Sequence, residues 1–180
     1  MTTETQRVFR SFLCVSVACC VSVVLAAAAR GAGPQPKLEF HASFDKTSYT
    51  RNDPLLVTFT LKNAGKQPVW VNTRFYLSSQ SAPDDDRDVS LILTSPSGKE
   101  IPCTFSYPTG FPKSDYFKLL QPGEEAASEH PRDLRGFFDL KEAGTYTVRA
   151  VYQNVFGAEL GLDAAKGPLR SEPVAFAVTQ

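Results

Sequence analysis

The chain of 180 residues has few of the side chains that carry catalysis or bind metals, and it has no excess of charge. It contains two histidines, four cysteines and one methionine, and its 19 basic residues balance 19 acidic ones. The charge balance argues against the broad basic surface of a nucleic-acid-binding protein. A hydrophobic content of 42%, with 13 phenylalanines, excludes a disordered chain.

Several motifs that mark catalytic and cofactor sites are also missing. The sequence has no His-Glu-x-x-His zinc motif, no Gly-x-Ser-x-Gly nucleophile elbow and no glycine-rich nucleotide loop. His41 and His130 lie far apart in the sequence, and with so few cysteines they do not readily complete a zinc site. We therefore expect no cofactor and no catalytic residues, and we favour a binding protein over an enzyme.

The N-terminal segment predicts export. Two arginines precede an uncharged stretch of 19 residues, 11–29, that ends in alanines. A basic start, an apolar stretch and small residues at the cleavage positions are the parts of a secretory signal. We expect a signal peptide at residues 1–29, an extended leader at 30–36, and one domain at 37–180 in the periplasm, cell envelope or extracellular space. The alternative is an uncleaved single-span anchor, which alone would tie the domain to a membrane.

Removal of the signal peptide would leave a single cysteine. Cys14, Cys19 and Cys20 lie within the signal, whereas Cys103 lies in the domain. One cysteine cannot form an intramolecular disulfide, so the hydrophobic core must stabilise the domain. We expect Cys103 to be a small buried hydrophobe in a strand.

Apolar and polar residues alternate through most of the domain, which predicts short β-strands separated by turns. The alternating runs are residues 38–44, 55–61, 69–77, 89–93, 101–107, 116–120, 134–140, 146–152 and 174–178. About seven to nine short strands, without a long amphipathic helix, indicate an all-β fold and an antiparallel β-sandwich.

Two local features favour an immunoglobulin-like, Greek-key form of this sandwich. Gly144 and Tyr146 have the spacing of a tyrosine corner, in which a tyrosine hydroxyl bonds to nearby backbone. Trp70 lies in the third run, where immunoglobulin-like domains place a core tryptophan. We therefore predict structural roles for Trp70, Gly144 and Tyr146.

Three segments resemble the exported immunoglobulin-like modules of bacteria. They are residues 55–65, which end in Leu-Lys-Asn-Ala-Gly, residues 120–124, which read Leu-Gln-Pro-Gly-Glu, and residues 144–152. Their order is similar to that of the non-catalytic sandwich of deuterolysin-like metallopeptidases and of small proteinase-inhibitor and macroglobulin-type sandwiches. The resemblance implies the fold, and it adds an alternative function as an accessory module or inhibitor of an envelope hydrolase or protease. A hydrolase itself is a further alternative.

An acidic loop lies between the third and fourth runs. Clustered aspartates can supply oxygen ligands to calcium, although the spacing is not that of an EF-hand. The other interpretation is a solvated acidic loop. The candidate ligands are Asp84, Asp85, Asp86 and Asp88.

A second long loop, residues 154–170, carries Phe156 among three glycines, which predicts an apolar contact on a pliable backbone. Phe137 and Phe138 are adjacent, so in a strand they would face opposite sides and one would be exposed. We predict an exported, non-enzymatic binding module that contacts another envelope or extracellular protein through loops or an edge strand. Phe156 and Phe138 are the predicted contact residues.

Overall fold

The structure is a computed structural model that describes residues 37–79, 88–103 and 110–179. The predicted signal peptide at residues 1–29 and the leader at 30–36 lie outside the described residues. Within the described ranges, no helix is both long enough and apolar enough to cross a membrane.

The described residues form twelve β-strands and three short 3-10 turns, so the prediction of an all-β fold is confirmed. The strands are β1 (Leu38–Phe44), β2 (Ser48–Tyr49), β3 (Leu56–Asn63), β4 (Val69–Asn72), β5 (Val89–Thr94), β6 (Glu100–Ile101), β7 (Phe117–Leu120), β8 (Glu125–Ala127), β9 (Arg132–Asp133), β10 (Gly144–Tyr152), β11 (Leu169–Arg170) and β12 (Val174–Val178). The 3-10 turns are Ser114–Tyr116, Leu134–Gly136 and Ala158–Leu160. Most of the longer strands lie within two residues of an alternating run in the sequence.

These strands form two larger sheets and one ribbon. The first sheet has the order β1-β3-β8, and β9 also pairs with β3. The second sheet has the order β2-β12-β10-β5-β6, and β11 also pairs with β10. The ribbon consists of β4 and β7. Strand β2 runs parallel to β12, and the other pairs of named strands are antiparallel.

The two larger sheets face each other across one hydrophobic core. Val57, Phe59 and Leu61 of β3 are fully buried and alternate with partly exposed residues, as a strand with one inward face requires. Strand β10 shows the same alternation. The ring of Phe40 on β1 lies 5.9 Å from that of Phe59 on the neighbouring strand β3 and, across the core, 5.6 Å from that of Tyr152 on β10. Side chains of both sheets therefore share one core.

Tyr146 joins the start of β10 to the connection that precedes it. Its hydroxyl donates to the carbonyl oxygen of Glu142 at 2.7 Å and accepts from the Glu142 amide at 3.1 Å. The ring stacks on Phe176 with centroids 5.5 Å apart, and burial raises the pKa of the Tyr146 hydroxyl above its usual value. Gly144 has a φ of +138°, and a Cβ there would lie 2.8 Å from Cβ of Pro96. The connection into β10 therefore requires a glycine at position 144 and a hydroxyl at position 146.

We expect Tyr146→Phe to lower the free energy of unfolding by about 1–3 kcal/mol, because the Glu142 amide and carbonyl both lose a partner. Urea denaturation measures the change. Tyr116→Phe is a suitable control, since the Tyr116 hydroxyl has only a 3.4 Å contact with that of Tyr76. Equal stability of Tyr146→Phe and the unmodified protein would contradict a structural role for this hydroxyl.

The strand predicted at residues 134–140 is wrong. Residues Leu134–Gly136 form a 3-10 turn instead, and the Asp133 carboxylate accepts a hydrogen bond from the Arg135 amide at 3.0 Å. The amides of Phe137 and Phe138 then both bond to the Leu134 carbonyl. The capping aspartate and the glycine favour a turn at a place where the apolar pattern alone suggests a strand.

The core position predicted for Trp70 is also wrong. Val69 and Val71 on either side of it are buried, whereas Trp70 is partly exposed and lies opposite Leu119 of β7. Adjacent residues of a strand point to opposite faces, so two inward valines turn the tryptophan outward. Phe75, which is fully buried, belongs to the core in its place.

Candidate functional site

A pair of aromatic side chains lies at the surface where two connections meet. Phe156 follows β10, Phe111 lies between β6 and β7, and their ring centroids are 5.1 Å apart at an interplanar angle of 71°. Phe111 is 50% exposed, and Leu119, at 40%, is the other exposed large apolar residue of the described part. Phe156 is partly exposed. An exposed aromatic ring packed on a partly exposed one indicates a candidate contact surface. We call Phe111 and Phe156 the aromatic pair.

The backbone around Phe156 is fixed by a buried side chain. Asn154 donates from Nδ2 to the carbonyl oxygens of Phe156 at 3.0 Å and Ala165 at 2.8 Å. Its Oδ1 accepts from the Phe156 amide at 3.3 Å. The Gly167 amide donates to the Asn154 carbonyl, so the two ends of the loop meet. This closed geometry is typical of an Ω-loop that packs on itself.

The glycines of this loop allow specific turns, so the loop differs from the pliable backbone predicted from its composition. Gly157 has a φ of +133° and Gly161 a φ of +68°, both within the region that favours glycine. The amides of Leu160 and Leu162 both donate to the Gly157 carbonyl. A Cβ on Gly157 would lie 2.7 Å from Cβ of Ala164. The loop therefore has a defined, hydrogen-bonded path.

A buried ion pair, Arg74–Asp88, helps to fix the two connections that carry Phe111 and Phe156. Arg74 Nε lies 2.5 Å from Asp88 Oδ2, Arg74 Nη2 lies 2.9 Å from Asp88 Oδ1, and the two side chains are 2% and 1% exposed. Bidentate pairing of this kind is the strong geometry for arginine and a carboxylate. Asp88 also accepts from Asn72 Nδ2 and from the Tyr76 amide, each at 3.2 Å. Each carboxylate oxygen therefore has two donors.

This arrangement corrects the interpretation of Asp88. The sequence suggests a calcium ligand or a member of a solvated acidic loop, whereas the structure shows a buried carboxylate saturated by protein donors. Arg74 explains the difference, since it is the charged residue of the apolar run at 69–77. A charge within such a run is a signal for a buried partner.

The ion pair is connected to both halves of the aromatic pair. Arg74 Nη1 donates to the carbonyl of Gly110 at 2.7 Å, next to Phe111. Asn72 Nδ2 lies 3.5 Å from Oδ1 of Asn154, whose Nδ2 holds the Phe156 carbonyl. One polar network thus reaches the backbone beside each ring.

Tyr152 completes this network beneath the loops. Its fully buried hydroxyl donates to the Asn72 carbonyl at 3.0 Å and accepts from the Asn72 amide at 3.2 Å. Burial raises the pKa of Tyr152 far above its usual value. The hydroxyl therefore stays protonated at neutral pH and keeps the donated bond.

Phe138, the second predicted contact residue, is not available to a partner. It is 4% exposed and belongs to the core, while its neighbour Phe137 is partly buried against the same core. Both rings turn inward because they follow a 3-10 turn, where adjacent residues need not face opposite sides. Of the two predicted contacts, only Phe156 reaches the surface.

The remaining site predictions concern the acidic loop and Cys103. Asp84, Asp85 and Asp86 lie outside the described residues. Within the described ranges, no three histidine, cysteine or acidic side chains are placed to hold a metal ion. The prediction of Cys103 as a buried residue in a strand is wrong, since Cys103 is partly buried and lies beyond the end of β6. It lies in a narrow crevice lined by Leu77, Ser78, Leu91, Phe137 and Phe138.

Sequence reasoning missed Phe111, although a signal was present. Phe111 lies between Gly110 and Pro112, and such a flanking pair indicates a turn, where a large apolar side chain has no strand to bury it. Asn72 and Asn154 gave no comparable signal, because asparagine is common in surface turns as well.

Comparison with known proteins does not assign a family. No protein-family model matches the chain, and no curated protein sequence does. Among solved structures, the chain is similar to a β-glucosidase, EmGH1, from Erythrobacter marinus, with 16% identity and a TM-score of 0.34. The match covers 80% of this chain but only 16% of the β-glucosidase chain.

Proposed function

We propose that the domain is an exported, non-enzymatic binding module that contacts another envelope or extracellular protein through the aromatic pair. The observation that carries this proposal is the exposed Phe111 ring packed against Phe156, with the backbone beside both rings held by one buried polar network. Export rests on the basic and apolar N-terminal sequence.

The proposal is supported by the order of the surface around the aromatic pair, which exists before a partner binds. An exposed aromatic ring buries a large apolar area on contact, and such residues often dominate the energy of an interface. The ordering of a mobile loop on binding would oppose association. Here the hydrogen bonds of Asn154 and Arg74 are already formed, so less of that cost remains when a partner binds.

We also propose an immunoglobulin-like topology for the sandwich. The support is the Tyr146 hydroxyl bonded to the backbone of Glu142, which is the geometry expected of a tyrosine corner. In such domains, the connections at the ends of the sheets are the usual binding surfaces.

We expect Phe111→Ala to weaken binding by about tenfold to a hundredfold, because truncation of a central aromatic typically costs about 2 kcal/mol or more. The secreted full-length chain, tagged at its C-terminus, is used to capture partners from envelope extract. The partner that it enriches is then titrated against Phe111→Ala, Phe156→Ala and Leu119→Ala. Leu119→Ala is the matched control, since Leu119 is exposed but lies on β7.

Loss of affinity in both phenylalanine variants, with none in Leu119→Ala, would support the proposed surface. Equal affinity of all three variants would place the contact elsewhere. Failure of the unmodified chain to enrich any partner would count against the binding function itself.

A further inference from the structure

A second cluster lies next to the buried ion pair, around the ring of Tyr76. Two guanidinium groups contact this ring: Arg74 Cζ lies 5.2 Å from its centroid and Arg132 Cζ lies 5.5 Å from it. The charge of Arg74 is balanced by Asp88. Arg132, on β9, has no such partner, since no salt bridge among the described residues includes it.

Arg132 also has an unsatisfied donor. Its Nε is buried and is the one buried side-chain nitrogen or oxygen of the described residues without a hydrogen-bond partner. Folded proteins satisfy nearly all such groups, and a bound water or ion is one of the explanations for an exception. An arginine with both an unbalanced charge and an unpaired buried donor therefore points to an anionic ligand.

Tyr76, whose ring contacts Arg132, and Tyr116, whose hydroxyl contacts that of Tyr76, supply a further donor. The hydroxyl oxygens of Tyr76 and Tyr116 are 3.4 Å apart, so one can donate to the other. The second hydroxyl proton then has no acceptor among the described residues. The hydrogen bond to Tyr76, followed by the electrostatic effect of Tyr76 and by burial, raises the pKa of Tyr116 above its usual value. The Tyr116 hydroxyl therefore stays protonated at neutral pH.

We propose that Arg132, with the hydroxyls of Tyr76 and Tyr116, forms a binding site for an oxyanion of the carboxylate or phosphate class. Guanidinium and hydroxyl groups donate to such oxygens through short, charge-assisted hydrogen bonds. The side chains of Arg132, Tyr76 and Tyr116 are each partly exposed, so the site opens to solvent although Arg132 Nε itself is buried.

Among the described residues, Glu129 is a carboxylate whose charge acts on Tyr116. Its side chain is 88% exposed, and its Oε1 lies 3.9 Å from Nε2 of His130. Solvent screens such a group strongly. This site is independent of the aromatic pair and does not rest on the proposed protein contact.

The test measures the melting temperature of the full secreted chain in sodium phosphate, sodium acetate and sodium chloride at equal ionic strength. A specific ligand of the native state raises the melting temperature with a saturable concentration dependence. We expect this behaviour for phosphate or acetate and not for chloride. Saturation by phosphate alone assigns a tetrahedral anion, and saturation by acetate alone assigns a carboxylate, such as that of an acidic peptide.

Arg132→Gln should weaken the anion affinity by about tenfold or more, because the charged donor is lost. Arg149→Gln removes an exposed arginine of β10 and should leave the affinity unchanged. Should Arg132→Gln fold poorly, the double variant Tyr76→Phe with Tyr116→Phe removes the free hydroxyl and should weaken binding about threefold to tenfold. The same shift in phosphate, acetate and chloride would overturn the proposal, as would an unchanged affinity in the variant that folds.

Discussion

Asp88→Ala is expected to lower the free energy of unfolding by about 3–5 kcal/mol, the largest effect of any variant considered. The side chains of Arg74 and Asp88 are 2% and 1% exposed, so removal of the carboxylate leaves a guanidinium buried without its counter-charge. Asn72 Nδ2 and the Tyr76 amide lose an acceptor as well. Urea denaturation followed by circular dichroism measures the change.

Asp139→Ala is the matched control. Asp139 also forms an ion pair, with Lys141 at 2.7 Å, but these side chains are 55% and 80% exposed. Surface pairs of this kind contribute little, so the control should unfold at nearly the same urea concentration as the unmodified protein. Similar losses in the two variants would show that burial of the Arg74–Asp88 pair does not matter to stability.

Gly157→Ala should cost about 2–4 kcal/mol, the second largest effect. A φ of +133° is strained for any residue with a Cβ, and the new Cβ would lie 2.7 Å from that of Ala164. The same variant should also weaken partner binding, because Phe156 precedes the altered residue.

Gly161→Ala provides the comparison for Gly157→Ala. Gly161 lies in the same loop with a φ of +68°, and a Cβ there would have no neighbour within 4 Å. The expected loss is smaller, about 1–2 kcal/mol, since only the left-handed backbone opposes alanine. Thermal unfolding of the two variants side by side measures the difference. Equal losses would mean that the contact with Ala164 does not constrain the loop.

Much of the fold follows from alternation in the sequence, because a sheet with one buried face imposes a period of two. Strands β1 and β12 match their predicted runs, residues 38–44 and 174–178, at both ends. Alternation also contained the correct answer for Trp70, whose valine neighbours both face inward. The structure follows this local alternation at Trp70 and not the position at which immunoglobulin-like domains place a tryptophan.

The strand prediction at residues 134–140 fails because backbone hydrogen bonding, and not the alternation of apolar residues, determines the structure there. The Asp133 cap turns the chain at Leu134 and brings Phe138 into the core. The amino-acid composition does not reveal this turn, because the turn depends on which backbone amide the Asp133 carboxylate contacts.

Of the two aromatic residues of the candidate site, only Phe156 was predicted from the sequence. Phe156 stands out in the sequence as a large apolar residue in a glycine-containing loop, and it does reach the surface. Its partner Phe111 belongs to another connection, and the Arg74–Asp88 pair joins residues 14 positions apart. Contacts of this kind arise from tertiary packing, which no local pattern in a single sequence records.

Photo-crosslinking in cells that secrete the full chain identifies which exposed positions contact another protein. A photoreactive phenylalanine analogue replaces Phe111 in one variant and Leu119 in the other, because both positions are exposed on different elements. The proposed surface predicts a discrete covalent adduct with another protein from position 111, and none of that size from position 119. An adduct from position 119 with none from position 111, or the absence of any adduct from position 111, would contradict the assignment of the aromatic pair as the binding surface.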